Sequence, residues 1–406
     1  MKNRNTTINL LCLGLFCLFS FRNDAQKNIR TFVFGHSLIN HEWEVTPPTP
    51  SQETSVPHWF YLLAEEAGHE YALSGQYGFL PQHANLPPIA QWGFDIVPWA
   101  WDSENEPFSA ADFTNILLTP ANFIQWQAPD LDYPTDPITP IEATSKVFDW
   151  CTQQEEGLQF YIYENWPDMA PYLSNNFPPS RNEWLDYNEY LNGEFHDWFV
   201  AYHDAVIANH PDACVSMIPV GLIISKLLLK APFDQIPIEA LYEDDAPHGR
   251  PTIYFLAALI TYMAMYEEPA PSTYQLNNFI HPIIIENYST AVEFIWEELN
   301  AFVDEEGKSK VFCNAVTSNT EQLTSVNDAI KLSPNPALDF IQIDGEIEKG
   351  ELLLIDALGH VHLRRIIPQI STFTLDIQGL PNGIYFVQIR DEQQRNILNE
   401  KLLKMN

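Results

Sequence analysis

Positive charge is scarce in this chain. Lys and Arg number 20 against 54 Asp and Glu, a formal net charge of −34. A surface of that sign repels phosphate backbones and anionic lipid, which excludes nucleic acid and acidic membrane surfaces as partners. Cysteine is sparse as well. Of five residues, Cys12 and Cys17 fall in the first 25 positions, and Cys151, Cys214 and Cys313 cannot build a disulfide scaffold or a zinc site. Three cysteines in an exported chain allow one disulfide and leave one thiol over. HExxH, the P-loop pattern, GxGxxG and CxxC are all missing, so zincin, nucleotide, dinucleotide and thiol-redox chemistry lack their parts. The twelve histidines form no ligand-spaced cluster, and no metal or cofactor is expected.

Long hydrophobic runs are missing too. The stretches Ile8–Phe21 and Thr252–Tyr266 are ~14 and ~15 residues, short of the roughly 20 that span a bilayer. The first has the form of a signal peptide over residues 1–25. Lys2 and Arg4 lead it, and Arg22-Asn23-Asp24 with Ala25-Gln26 follow as a polar cut site. The mature chain then starts near Gln26, is destined for export, and has no transmembrane segment. Its apolar content of 46% still supports a large core and excludes wholesale disorder.

Composition divides the chain of 406 residues near position 330. All eleven Trp lie between Trp43 and Trp296, and most of the acid excess precedes residue 331. The expected organisation is a catalytic-size domain over 26–306, a linker over 307–330, and a small domain over 331–406. In the large part, apolar runs at Arg30–Phe34, Tyr71–Ser74, Phe113–Thr119, Leu158–Tyr163 and Val215–Val220 read as buried strands. Helical periodicity covers Val56–Gly68, Glu142–Gln154, Asn182–Asn209, Leu222–Leu229, Thr252–Tyr266 and Ile284–Val303. Strands alternating with helices predict α/β: a three-layer α/β/α, flavodoxin-like parallel sheet. The tail alternates short strands with turns such as Pro381-Asn382-Gly383, which predicts a small β-sandwich.

Two segments stand out chemically. Gly35-His36-Ser37-Leu38 follows the first strand, where parallel sheets place their ligand crevice. Asp245-Ala246-Pro247-His248-Gly249 precedes a helix late in the domain, and its spacing lets one tight turn aim a carboxylate at an imidazole. Each alone is more simply a turn and a helix cap. In combination and in this order they resemble the SGNH (GDSL-like) hydrolases over about residues 29–270, with Ser37, Asp245 and His248 in the catalytic positions. His36 stands where that family has Asp. The resemblance also implies an oxyanion hole from the Ser37 amide, a glycine after the second strand and an Asn side chain after the third. The glycine is Gly75, with Gly78 as alternative. The Asn is Asn122 in Leu118-Thr119-Pro120-Ala121-Asn122, with Asn165 as competitor.

Residues 80–140 hold Trp92, Trp99, Trp101 and Trp126, and Trp43, Trp59 and Trp166 sit near the site segments. Aromatic faces beside acids and amides suit sugar rings, although Trp more often packs a core. Glu164, Asn165, Trp166 and His36 are the expected substrate-binding residues, while His41 and His58 read as polar turn or rim positions. The carboxylate pairs Glu164 with Asp168 and Asp244 with Asp245 would be the parts of a glycosidase, but nothing singles them out among so many acids. The tail, from Leu332-Ser333-Pro334-Asn335-Pro336 through Asp356-Ala357-Leu358-Gly359 to Leu380-Pro381-Asn382-Gly383-Ile384-Tyr385-Phe386, resembles the sorting domain of the type IX secretion system. That implies export through the periplasm to the cell surface or medium, with the secretion machinery as partner. The expected activity is a secreted serine esterase acting on O-acetyl or other acyl groups of a carbohydrate, or on another small ester. Its rival is a non-catalytic carbohydrate-binding protein on the same scaffold.

Overall fold

The computed structural model describes residues 26–41, 51–120, 124–313, 331–347, 349–356, 361–368, 370–391 and 396–405. The signal peptide expected at 1–25, Trp43, Asn122 and residues 314–330 lie outside them. The chain divides into two compact units that part after Cys313.

The first unit is built on five strands: β1 (Asn28–Gly35), β2 (Glu70–Tyr77), β3 (Asn115–Leu118), β4 (Gln159–Tyr163) and β5 (Cys214–Ile218). All pair in parallel, in the order β2-β1-β3-β4-β5. β3 is buried at every position and β4 and β5 at all but the first, because helices cover both faces. The order reverses direction at β1. Right-handed crossovers then put α1 (Val56–Ala67) on one face and α3 (Pro140–Gln154) on the other. α7 (Pro251–Tyr266) packs on α1, and all of its residues are buried, so its unbroken apolar sequence makes a core helix. Pro140 opens α3 behind Thr139, whose hydroxyl caps Glu142 N–H while the Glu142 carboxylate returns to Thr139 N–H. A four-residue α2 (Leu80–His83) lies between β2 and β3.

The stretch expected as one helix from Asn182 to Asn209 is interrupted. α4 (Arg181–Tyr190) passes through a π turn at Leu191–Phe195 into α5 (His196–Asn209), and Gly193 sits at φ −114°, ψ −109°. π turns are where long helices bend. α6 (Val220–Leu228), α8 (Pro282–Glu286) and α9 (Tyr288–Ala301) complete the unit.

Residues 307–313, expected to begin a linker, belong to this unit. Ser309 bridges to Val303, Met217 N–H donates to Lys310 O at 2.7 Å, and Cys313 is disulfide-bonded to Cys214. Cys151 is a free, buried thiol whose ionisation burial pushes up, so it is unreactive.

The second unit carries β6 (Lys331–Ser333), β7 (Phe340–Ile347), β8 (Gly350–Asp356), β9 (Val361–Ile367), β10 (Ile370–Asp376), β11 (Gly383–Asp391) and β12 (Asn396–Lys404). They form antiparallel sheets ordered β10-β7-β6 and β12-β11-β8-β9. Ile341 and Ile343 of one sheet share a single core with Leu352, Leu354, Val387, Ile389 and Leu402 of the other, which makes a sandwich.

The disulfide closes a loop of 99 residues, a long span in the unfolded chain. Its reduction is expected to cost about 2–5 kcal/mol, a Tm drop of about 3–8 °C for a unit of this size in thermal unfolding with and without reductant. An unchanged Tm would contradict this.

Candidate active site

Ser37 stands on the turn leaving β1, beside the point where the strand order reverses and where open parallel sheets bind ligands. Sterics select the glycine before it. A Cβ at Gly35 would come within 2.9 Å of the Trp92 ring and 3.1 Å of Thr119 Oγ1. The turn is tight: Ile39 and Asn40 N–H both donate to His36 O, at 2.9 and 3.2 Å. From α7, the Tyr254 hydroxyl donates to the Ser37 carbonyl at 2.6 Å, which fixes the serine backbone.

His248 comes from the loop between Tyr242 and Gly249, whose ends pair as an antiparallel bridge. Its Nε2 lies 3.1 Å from Ser37 Oγ, 211 residues away in sequence. Its Nδ1 lies 2.7 Å from Asp244 Oδ2. With Nδ1 donating to the carboxylate, Nε2 is left to accept the serine proton. Asp244 Oδ1 accepts the N–H groups of Ala246 (3.1 Å) and His248 (2.9 Å), so the same carboxylate shapes the turn and holds the ring. Burial alone would raise the Asp244 pKa, but these hydrogen bonds outweigh it and hold the carboxyl below its usual value. The acid is therefore Asp244, one residue before the expected Asp245. Asp245 is exposed, and its carbonyl is pinned by the N–H groups of Met169 (2.8 Å) and Ala170 (3.2 Å). The turn curls back through four residues rather than three, which brings the earlier of two adjacent acids to the imidazole.

An open cleft of ≈520 Å³ is lined by Ser37, Asn40, His41, Tyr77, Gln91, Trp92 and His248. A second recess, of ≈420 Å³, is lined by Ala90, Trp99, Trp101, Asp102, Ser103 and Glu104. Trp99 is 54% exposed there, and its ring lies so close to Gly93 that a Cβ would meet it at 2.4 Å.

The other expected site residues are elsewhere. Gly75 is inside β2, opposite Val33, and its carbonyl accepts from Gln91 N–H (2.8 Å) and Trp92 N–H (3.1 Å). Its lack of a Cβ admits Trp92, at 2.5 Å from where that atom would stand. Gly78 does follow the strand, but its N–H donates to Gly35 O at 2.9 Å. Glu164, Asn165 and Trp166 are fully buried and none lines the cleft. The Glu164 carboxylate meets His196 Nδ1 at 3.0 Å, a contact delivered by the π turn. Asn165 Nδ2 donates to Trp166 O, and Trp166 Nε1 donates to Pro247 O at 2.9 Å, so this tryptophan braces the His248 loop from below. His36 is 1% exposed and turns inward, its Nδ1 accepting from Leu38 N–H. Glu164 and Asp244 are thus each committed to a histidine, which removes the partners of both glycosidase pairs.

Asn40, Tyr77 and Gln91 were not singled out as site residues by the sequence, and His41 read only as a polar turn or rim position. They lie in no motif, and only strand ends and a surface strap bring them together. Asp244 was signalled as half of an acidic pair beside His248.

Residues 331–404 match the family described as the secretion system C-terminal sorting domain. The tail is a type IX export signal. The protein is accordingly secreted or displayed at the cell surface, and interaction with the secretion machinery follows from the same match. No helix of the described residues is long and apolar enough to cross a membrane. Among solved structures, a DUF4886 family protein from Bacteroides uniformis is similar at 12% identity and TM-score 0.41, over 70% of this chain and 98% of that one. A putative GDSL-like lipase from Parabacteroides merdae is similar at 11% identity and TM-score 0.34, over 59% of this chain and 95% of that one. A DUF3244 family protein with an immunoglobulin-like β-sandwich, from Bacteroides vulgatus, is similar at 18% identity and TM-score 0.17, over 19% of this chain and 85% of that one. No curated protein matches the chain.

The buried imidazoles set an acid limit on the fold. Burial pushes His36 down to about 3 and His58 and His83 down to about 4, against 6.5 in the unfolded chain. The native state holds them neutral while the unfolded state protonates. Their stabilisation is therefore complete above 6.5 and is lost as pH falls from there toward about 4, each costing on the order of 1.4 kcal/mol per pH unit. Tm is expected to be level from about pH 8 to 7 and to fall steeply between about 6.5 and 4. A level Tm across that lower range would contradict these assignments.

Proposed function

We propose that this exported protein is a serine esterase. The observation that carries the reading is the continuous hydrogen-bonded line from Ser37 Oγ through His248 to Asp244, at 3.1 and 2.7 Å, opening into a cleft. In this mechanism Ser37 Oγ attacks the ester carbonyl as its proton passes to His248 Nε2. Asp244 holds the ring and stabilises the imidazolium that forms. The tetrahedral oxygen takes hydrogen bonds from the Ser37 amide and from the side-chain amides that line the cleft, Asn40 and Gln91. His248 then protonates the departing alcohol, and water repeats the sequence to release the acid from Ser37.

The alcohol portion is read as a neutral sugar and the acyl group as acetyl. Tyr77 and Trp92 wall the cleft, and Trp99 offers an exposed indole in the second recess, one residue along the strap from Gln91 at Ala90. Indole faces stack on the C–H faces of sugar rings, while Asp102 and Glu104 can accept hydroxyl protons and repel an anionic polymer.

Two measurements test this. Ser37→Ala is expected to remove hydrolysis of an activated acetyl ester while circular dichroism stays native. Asp244→Asn should lower kcat about 10³–10⁴-fold and Asp245→Asn less than about threefold. A folded, fully active Ser37→Ala variant, or the reverse order of the two Asp variants, would remove the mechanism. For the sugar, Trp99→Ala is expected to raise KM for an acetylated oligosaccharide about tenfold and leave the small activated ester unchanged. Equal effects on both substrates would remove the saccharide reading and leave the esterase intact.

A further inference from the structure

The feature of the cleft that the mechanism above does not use is a second imidazole. His41 lies flat on His248, with ring centroids 3.9 Å apart and an interplanar angle of 10°. Its backbone is fastened on both sides: His41 N–H donates to Thr54 O at 3.0 Å, and Thr54 Oγ1 donates to His41 O at 2.6 Å. Asn40 bridges to Ser55, and Val56 N–H donates to Ile39 O at 2.8 Å, so the chain leaving Ser37 is zipped onto the start of α1.

We propose that His41 is a positioning residue that holds the His248 ring in the plane containing Ser37 Oγ and Asp244 Oδ2. The inference rests on the esterase reading of the same cleft. An imidazole bonded at Nδ1 and Nε2 is still free to rock about the line joining those two bonds. A flat ring against one face removes that motion, as the near-parallel stack does here. Hydrolysis is sensitive to such motion, because displacing a reacting group by about 1 Å can cost roughly 10²-fold. The role calls for a planar, uncharged face rather than for a proton. Burial, and then the neighbouring His248, push His41 down to about 4, against the opposing Asp244 carboxylate that also faces it, so the His41 ring is neutral at neutral pH.

The variants His41→Ala and His41→Phe separate this role from a structural one and from proton transfer. With an activated acetyl ester, His41→Ala is expected to lower kcat about 10–100-fold with KM within about twofold. His41→Phe, which keeps a flat face and cannot ionise, should restore kcat to within about threefold of the parent. A folded His41→Ala protein with parental kcat overturns the proposal, as does a His41→Phe protein as impaired as the alanine variant. The proposal has a readout that needs no turnover. In Ser37→Ala protein, the His248 ring protons are expected to sit above the His41 face and to be shifted upfield in NMR spectra. That shift should persist in His41→Phe and vanish in His41→Ala; identical His248 signals in all three overturn it. A parent protein inert towards acetyl esters would fail the esterase reading alone, and the spectra would still decide the stack.

Discussion

In the esterase proposed above, one imidazole would carry the chemistry, because both of its nitrogens are occupied. His248 is held at Nδ1 by a carboxylate that can only accept and at Nε2 by a hydroxyl that can donate. A lone serine hydroxyl is a poor nucleophile, and a lone surface histidine takes up protons without consequence. Joined in a line, with the acid last, they form a base whose tautomer is fixed before any substrate arrives. The rest of the first unit can be understood as the apparatus that keeps this line straight.

That apparatus is spread over the whole unit. The serine turn is fixed from above by Tyr254 of the buried helix α7, and at the back by close approach of Trp92 to Gly35. The histidine loop is fixed by Trp166 from the end of β4, by its own Asp244 turn, and by Arg250, whose guanidinium donates to Glu239 O and lies 3.5 Å from the Glu243 carboxylate. These supports come from the end of β4, from the strap that follows β2 and from helix α7. Residues 211 apart in sequence therefore meet on turns that are each held by hydrogen bonds from other elements.

What the sequence revealed and what it concealed follow from the range of the interactions involved. The strands of the sheet are legible because burial on both faces demands unbroken apolar runs, and Phe113–Thr119 or Leu158–Tyr163 can hardly be anything else. The serine and the histidine are legible because each sits in a short segment next to such an element. The choice between Asp244 and Asp245 was not, since both adjoin the same loop and only the hydrogen bonds of Ala246 and His248 decide which curls inward. Glu164, Asn165 and Trp166 looked like a site because polar residues followed a strand. They proved to be the buried underside of one, with Glu164 spent on His196 and Trp166 on Pro247. The π turn at Gly193 was hidden inside a good helical period. His41 read only as a polar turn or rim residue: it lies four residues beyond the serine, and its partner ring arrives from the other end of the domain.

The most direct test of this account is chemical trapping of the nucleophile. The full-length exported protein, treated with an organophosphonate that reacts with activated serines and analysed by mass spectrometry of its peptides, should gain one adduct on Ser37 in stoichiometric amount. Folded protein that remains unmodified at Ser37, or takes up the reagent at another serine instead, would contradict the claim that His248 and Asp244 activate this hydroxyl.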